Sequence, residues 1–295
     1  MDRKYMLAAE TALVKKLITE IYPTGVVSLV GDSFHWWEML THIAPTLKED
    51  ILNRQPNALG LAKTVFRPDS GDPVKVICGY KTFYAGDNGD WDLDNLWNDG
   101  YRAIEFMGQY KEIITKQQFG EFCAVTRDDF LSEAEVKGAV QCLWDTFGGT
   151  TTETGHKVLH ERVGLIYGDS ITLERAEAIL KGLEAKGFAS CNIVFGIGSY
   201  TYQHVTRDSY GFAMKATYGE INGEGVEIFK DPITDSGTKK SAKGLLRVEE
   251  ENGNFVLYDQ QTWDQEKQGK LKTVFKDGIQ YNIQTLSEIR SRLIG

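Results

Sequence analysis

Thr64-Val65-Phe66-Arg67-Pro68-Asp69-Ser70-Gly71-Asp72-Pro73 runs from a short apolar strand into a tight polar turn. Within the turn stand a guanidinium, carboxylates, a hydroxyl and a glycine, the groups needed to grip a charged, hydroxyl-rich ligand such as a sugar phosphate. Three other segments repeat the design: Val27-Ser28-Leu29-Val30-Gly31-Asp32-Ser33, Leu165-Ile166-Tyr167-Gly168-Asp169-Ser170 and Ile193-Val194-Phe195-Gly196-Ile197-Gly198-Ser199. Each is an apolar strand that ends on a glycine with an acid or hydroxyl close behind. In parallel α/β folds, ligands bind beyond the carboxyl ends of the strands. The repetition therefore predicts one ligand face made by several strand ends.

Helical patterns lie between these strands. Leu13, Val14, Leu17, Ile18 and Ile21 recur at helical spacing until Pro23 and Gly25. Trp37, Leu40, Ile43, Leu47 and Ile51 mark a second stretch, and Val136, Val140, Leu143, Trp144 and Phe147 a third. A fourth opens at Thr172 and runs on Leu173, Ala176, Leu180 and Leu183 to a stop at Gly187. Such alternation predicts a largely parallel sheet or barrel. Five strands are readable in this part, whereas a closed (β/α)₈ barrel needs eight, in about 250 residues. The sheet is thus either open and small, or a barrel that lacks part of itself. Residues 80–132 interrupt the alternation and read as an insertion rich in Asp, Gly and aromatics, with helical spacing from Tyr101 to Ile114. It is expected to be a surface subdomain with its own small core; an oligomer contact is the sharper alternative. After Gly211 the pattern changes to strands joined by Asn222-Gly223, Asn252-Gly253 and Asp277-Gly278, which are hairpin signals. The expected division is residues 1–210 as a partial α/β barrel and 211–295 as a β-rich region with a final helix on Leu286, Ile289 and Leu293.

With 295 residues, 41% apolar and 25% charged, the chain can bury a real core. A net charge of -9 without a basic stripe argues against nucleic acid. No run is long and apolar enough to cross a membrane. Cys78, Cys123, Cys142 and Cys191 have neither metal-ligand nor redox spacing and read as reduced thiols of a cytoplasmic protein.

Arginine presents a planar fork to phosphate oxygens. Glycines let backbone N–H groups approach a phosphate, and carboxylates accept from sugar hydroxyls or share Mg²⁺ with a diphosphate. Asp32, Arg67, Asp69, Asp169 and the Gly196–Gly198 loop thus suit a sugar phosphate that carries a diphosphate, and Arg207, Lys215 and Lys230 supply further cations. Singly, each feature has a plainer reading. Pro-Asp-Ser-Gly is a good turn, Gly-Asp-Ser a good helix cap, and most surface lysines are merely solvated. His156 and His160 have i,i+4 spacing but no third ligand and read as loop residues. Phe34, Trp36 and Trp37 could stack on a planar ring, but aromatics beside a buried strand more often belong to the core.

The same motifs resemble the nicotinamide phosphoribosyltransferases, especially those of bacteria and phages. The resemblance is carried by TEIYPTG, FRPDSGDPVKVICG, LWDTFGGTTTETGHKVL, GLIYGDSITLERAEAIL, NIVFGIGSYTYQHVTRDSYGFAMKATY, EIFKDPITDSGTKKSAKG and TVFKDG. It implies a partial (β/α) barrel of the type II phosphoribosyltransferase kind, with an antiparallel β-rich C-terminal appendage. It also implies an enzyme that joins nicotinamide to phosphoribosyl diphosphate with Mg²⁺, giving nicotinamide mononucleotide and diphosphate in NAD salvage. By motif, Arg67 would contact the nucleotide, and Asp69 the ribose hydroxyls. Gly168 and Asp169 would line the ribose site, with Asp69 and Asp169 the candidate catalytic carboxylates. Ser28 and Asp32 would lie by the diphosphate and its metal. Gly198, Ser199 and Arg207 would hold the 5′-phosphate, while Lys215 and Lys230 would add charge across a dimer interface.

Members of that family are usually longer at the N-terminus. The resemblance places the residues that hold the nicotinamide ring, and the histidine phosphorylated by ATP, in a region without counterpart here; neither His35 nor His42 matches that histidine. The expectation is therefore a C-terminal portion that needs a complementary N-terminal polypeptide. Two alternatives stay open: a non-catalytic subunit that binds phosphoribosyl diphosphate or a nucleotide or regulates a full-length enzyme, and nicotinate as the base.

Overall fold

The computed structural model describes residues 3–84, 101–118, 121–168, 171–198, 203, 205, 209, 214–229 and 241–294. The chain divides into two compact units, Met1–Thr206 and Arg207–Gly295.

The first unit opens with α1 (Arg3–Lys16), whose last residues run into a wider helical turn, Leu17–Ile21. Arg54 fixes the exit from that turn. Its buried guanidinium donates to the carbonyls of Ile18 at 2.7 Å and Tyr22 at 2.6 Å, at the helix end, and to that of Gly25 at 2.9 Å, where β1 begins. Strand β1 (Gly25–Val30) follows, then short helical turns over 36–52, then β2 (Ala62–Arg67) and α2 (Pro73–Cys78). After α2 come β3 (Lys81–Tyr84), β4 (Arg102–Phe106), β5 (Gln109–Gln118) and β6 (Glu121–Leu131). Helices α3 (Glu133–Lys137) and α4 (Ala139–Phe147) return the chain to the core. A hairpin of β7 (Gly149–Thr151) and β8 (Lys157–Leu159), then β9 (Val163–Tyr167), α5 (Leu173–Ala185) and β10 (Ile193–Phe195) complete the unit.

Strands β1, β2, β9 and β10 form one parallel sheet in that order. Four strands pair among the described residues, not five, and they form an open sheet with no closed barrel. One face carries Val27, Leu29, Phe66, Val163, Leu165, Tyr167 and Ile193, all buried in a core shared with Leu40, Ile43, Ile51, Leu143 and Phe147. On the other face the outer strands are exposed, Val26 at 51%, Val30 at 50% and Val194 at 58%, while Val65 and Ile166 of the central strands are half-buried.

Three helical expectations need correction. Residues 101–114 form strands, not a helix, because Met107-Gly108 make a two-residue turn with φ of 50° and 77°. Antiparallel pairing then sets Ala103 opposite Glu112 and Ile104 opposite Lys111. On α1 only half of the anticipated stripe is used: Val14 and Ile18 are buried while Leu13 and Ile21 are exposed. On α5 the buried residues are Ile179 and Leu183, and Leu173 is 86% exposed.

The insertion leaves and rejoins the core through a neck of two glycines. A Cβ on Gly79 would lie 2.3 Å from the Val136 carbonyl oxygen, and one on Gly138 would lie 2.4 Å from Gly79 N. Both have positive φ, 68° and 77°. Beyond the neck, β3–β6 form their own four-stranded sheet around Tyr80, Ala103 and Val136.

The second unit contains three antiparallel hairpins: β11 (Tyr218–Ile221) with β12 (Glu224–Glu227), β13 (Leu245–Glu251) with β14 (Asn254–Gln261), and β15 (Phe275–Lys276) with β16 (Ile279–Gln280). Their turns are Asn222-Gly223, Asn252-Gly253 and Asp277-Gly278, each with positive φ at both residues, as the hairpin twist requires. A short α6 (Trp263–Glu266) precedes β15, and α7 (Leu286–Ile294) closes the unit.

Candidate active site

The carboxyl ends of the four parallel strands meet. β1 ends beside β2, where Gly31 N–H donates to the Arg67 carbonyl at 3.1 Å. The Asp32 carboxylate then reaches across to the next turn. Its Oδ2 accepts from Asp69 N–H at 3.0 Å and from the Ser70 hydroxyl at 2.7 Å. Arg67 Nη2 bonds Asp69 Oδ1 at 3.1 Å. Asp32, Arg67, Asp69 and Ser70 are therefore one connected cluster, half-buried at the rim of the sheet.

β9 and β10 close the other side. Arg67 lies across Gly168 so tightly that a Cβ there would be 2.4 Å from the guanidinium carbon. Gly196 in turn sits against the Gly168 backbone, where a Cβ would come within 2.6 Å of the Gly168 carbonyl. Gly196 N–H donates to the Tyr167 carbonyl at 2.7 Å. The Tyr167 hydroxyl crosses back to the Gly71 carbonyl at 2.7 Å, tying β9 to the turn after β2. Glycine is needed at 168 and 196 for the backbone to approach this closely, not for a special φ.

Arg67 Nε is buried with no hydrogen-bond partner among the described residues. A buried orphan donor on a guanidinium is costly unless an anion meets it. Asp32 Oδ1 and Asp69 Oδ2 likewise enter no hydrogen bond among the described residues, so each carboxylate keeps an oxygen for a ligand.

Of the other candidates, Ser28 lies in β1 on the partly exposed face, opposite Val65 in register. Gly198 is exposed with φ 61°, just beyond β10. Lys215 is exposed in the second unit. Asp169, Ser199, Arg207 and Lys230 lie outside the described residues. Trp36 is a core residue and Phe34 is exposed. His156 and His160 lie in and after the β7–β8 hairpin, and no group of three metal-binding side chains occurs among the described residues.

Glu10 of α1 feels the charge of Asp32, which the residue pattern did not signal. It is 7% exposed, and its carboxyl is pushed above its ordinary value, first by burial and then by the charges of Glu38 and Asp32. Only the packing of α1 brings it near Asp32; a single glutamate on a mixed-charge helix gives no sequence signal.

A family model described as the nicotinate phosphoribosyltransferase (NAPRTase) family matches residues 8–279. The chain belongs to that family. A nicotinamide phosphoribosyltransferase of Acinetobacter baylyi is 53% identical over 284 residues, which cover 96% of this chain and 47% of the relative. One from Mycoplasma pneumoniae is 34% identical over 241 residues, 82% of this chain and 41% of its own. One from Xanthomonas campestris pv. campestris is 28% identical over 275 residues, 91% of this chain and 44% of its own. The nicotinate phosphoribosyltransferase family fold is thus shared across most of the chain, yet the chain spans less than half the length of these relatives.

Proposed function

We propose that this chain carries the phosphoribosyl half of an enzyme that transfers phosphoribose from phosphoribosyl diphosphate to nicotinamide. The observation that carries the reading is the joining of Asp32, Arg67 and Asp69 into one cluster against Gly168. The relatives named nicotinamide phosphoribosyltransferase supply the base.

In the reaction, the bond from ribose C1 to the diphosphate oxygen breaks and that oxygen keeps the electron pair. The ring nitrogen of nicotinamide donates its own pair to C1, giving nicotinamide mononucleotide and diphosphate. No protein nucleophile is required. Positive charge develops on the ribose, so carboxylates beside it are favourable. Asp69, oriented by Arg67, would accept from the ribose hydroxyls through its remaining oxygen, and Asp169 would stand next to Gly168 with the same role. Arg67 Nε would meet a phosphate oxygen. Gly198, Ser199 and Arg207 would hold the 5′-phosphate, with Lys215 and Lys230 as further cations.

Asp32 would hold Mg²⁺, with Ser28 also by the diphosphate. One carboxylate with a spare oxygen fits a metal bound chiefly by substrate phosphates and water. When bound, the metal would offset charge on the departing diphosphate.

The exposed outer strands of the parallel sheet and the length of the relatives support a further element: a complementary polypeptide that completes a partial (β/α) barrel of the type II phosphoribosyltransferase kind and supplies the base site. The β-rich region after residue 210 would serve as its appendage, and dimerisation would bring Lys215 and Lys230 to a shared interface. A cytoplasmic location accords with the substrates, and no described helix is long and apolar enough to cross a membrane. Co-expression with such a polypeptide, followed by an assay for nicotinamide mononucleotide, tests the reading. Turnover only with both parts is expected; full turnover by this chain alone would remove the need for a partner.

The short span relative to the relatives favours one second reading, a non-catalytic subunit that binds phosphoribosyl diphosphate. Calorimetry separates the two. Mg²⁺-dependent binding with turnover on complementation supports the enzyme, and metal-independent binding without turnover supports the subunit. Offering nicotinate beside nicotinamide in the same assay settles the base.

A further inference from the structure

Asp72 serves two partners. Its Oδ1 accepts from Val74 N–H at 2.9 Å and Lys75 N–H at 3.2 Å and so caps α2. Its Oδ2 accepts the Tyr101 hydroxyl at 2.7 Å. Tyr101 stands at the entry to β4, in the inserted sheet. A second tie lies alongside: Lys75 Nζ bonds Glu112 Oε1 of β5 at 2.5 Å and sits 4.5 Å from the centre of the Tyr101 ring. Glu112 is buried, and Arg127 of β6 holds its other oxygen at 3.0 Å. The inserted sheet thus clamps α2 where that helix leaves the ligand turn.

Every residue of the turn from 69 to 72 then has an outside anchor. Asp32 holds Asp69 N–H and the Ser70 hydroxyl, Tyr167 holds the Gly71 carbonyl, and Tyr101 holds Asp72. Three of these anchors come from the parallel sheet, and the last comes from the insertion. A subdomain that served only as surface decoration would need no bond to this residue.

We propose that the inserted sheet is a brace for the phosphoribosyl turn, with Tyr101 as a positioning residue that acts through Asp72. The proposal rests on the reading of that turn as the phosphoribosyl site. The sheet works by preorganisation: a turn already held in its ligand-bound form loses less freedom on binding. It requires that Tyr101 affect ligand affinity without contact with the ligand.

Tyr101→Phe removes only the hydroxyl. Asp72→Ser keeps an oxygen for the helix cap and removes the one that Tyr101 uses. The full chain and both variants are titrated with phosphoribosyl diphosphate and Mg²⁺ by calorimetry, and amide hydrogen exchange is followed over residues 69–74. Each variant should bind about three- to tenfold more weakly, and the double variant no more weakly than either single one. Exchange over the turn should quicken, while melting temperatures stay within about 2 °C of the parent. Lys111→Ala, in the same sheet but away from α2, should leave affinity unchanged. Unchanged affinity and exchange in Tyr101→Phe would overturn the brace and leave the ligand reading intact. No binding by the parent chain would overturn the ligand reading, and the exchange rates would then decide the brace alone.

Discussion

Gly168 shows what a single hydrogen in place of a methyl group does at this site. A Cβ there would lie 2.4 Å from the Arg67 guanidinium carbon, and the obstacle is the end of a flexible side chain. Arg67 can swing away, so Gly168→Ala should leave the fold nearly intact, with a loss under about 1 kcal/mol. The guanidinium would no longer face the ligand, and affinity for phosphoribosyl diphosphate should fall about tenfold or more. Calorimetry beside a melting curve checks the pair; a large fall in melting temperature with unchanged affinity would contradict the argument. Asp32→Ala should differ, because it frees Asp69 N–H and the Ser70 hydroxyl together. Stability should drop by about 1–3 kcal/mol in urea unfolding, along with Mg²⁺-dependent binding. Glu10 gives a pH prediction. Its carboxyl is raised above 4.5 by burial, then by Glu38 and Asp32, so the fold favours its protonated form. That contribution is complete below about pH 4.5 and is lost as pH rises through the folded value. Glu10→Gln mimics the protonated state. It should therefore be more stable than the parent at pH 7, with a higher melting temperature, and the difference should shrink as pH falls toward about 4. Melting curves at both pH values check the sign. Arg67, Asp69 and Asp32 were readable in the sequence because strand-end turns are local chemistry. Glu10 was not, because its approach to Asp32 depends on how a helix packs.

At the scale of elements, the parallel strands were legible because each is an apolar run closed by a polar, glycine-containing turn, and the late hairpins because Asn-Gly and Asp-Gly suit positive φ at both turn residues. The insertion was legible as an interruption but not as a sheet. Its apolar residues from Tyr101 to Ile114 match helical spacing by coincidence, and Met107-Gly108, with no Asn or Asp, gives a weak turn signal. The helical faces show a related limit. Leu173 fits the period of α5 but stands 86% exposed, since periodicity gives a stripe and not what covers it. The neck of the insertion yields the sharpest prediction here. Gly138 has φ 77°, and a Cβ on it would meet Cys78 C and Gly79 N at 2.4 Å. These are backbone atoms, which cannot swing aside as Arg67 can. Gly138→Ala should cost about 3 kcal/mol or more, or prevent folding, as urea unfolding or soluble yield would register. A loss below about 1 kcal/mol would mean that the neck is looser than the backbone packing implies.

At the scale of the whole molecule, buried and exposed apolar residues are unevenly shared. The first unit has a continuous core from Val14 to Ile193. In the second, Gly244 is the one buried residue among those described, while Phe255, Val274, Phe275, Ile279, Ile283 and Leu286 are all exposed. A unit that buries so little cannot offset the entropy of ordering its chain. Exposed apolar patches of this kind favour association. The outer strands of the parallel sheet add Val26, Val30 and Val194 to the same account. The sequence hinted at this only through the shortfall in strands, because hairpin turns fix local pairing and say nothing of what lies over the strands. These exposed surfaces set how the chain behaves alone. It should self-associate at micromolar concentration in sedimentation velocity and bind a hydrophobic dye strongly. Its second unit should lose structure at a lower temperature than the first, as amide exchange resolved by segment would show. Co-expression with a polypeptide that carries the rest of the family's length should reverse all three, since a ligand of the folded state stabilises it by mass action. A monomer with little dye binding and one sharp transition would mean that these apolar surfaces need no partner, and the proposed complement would lose its structural support.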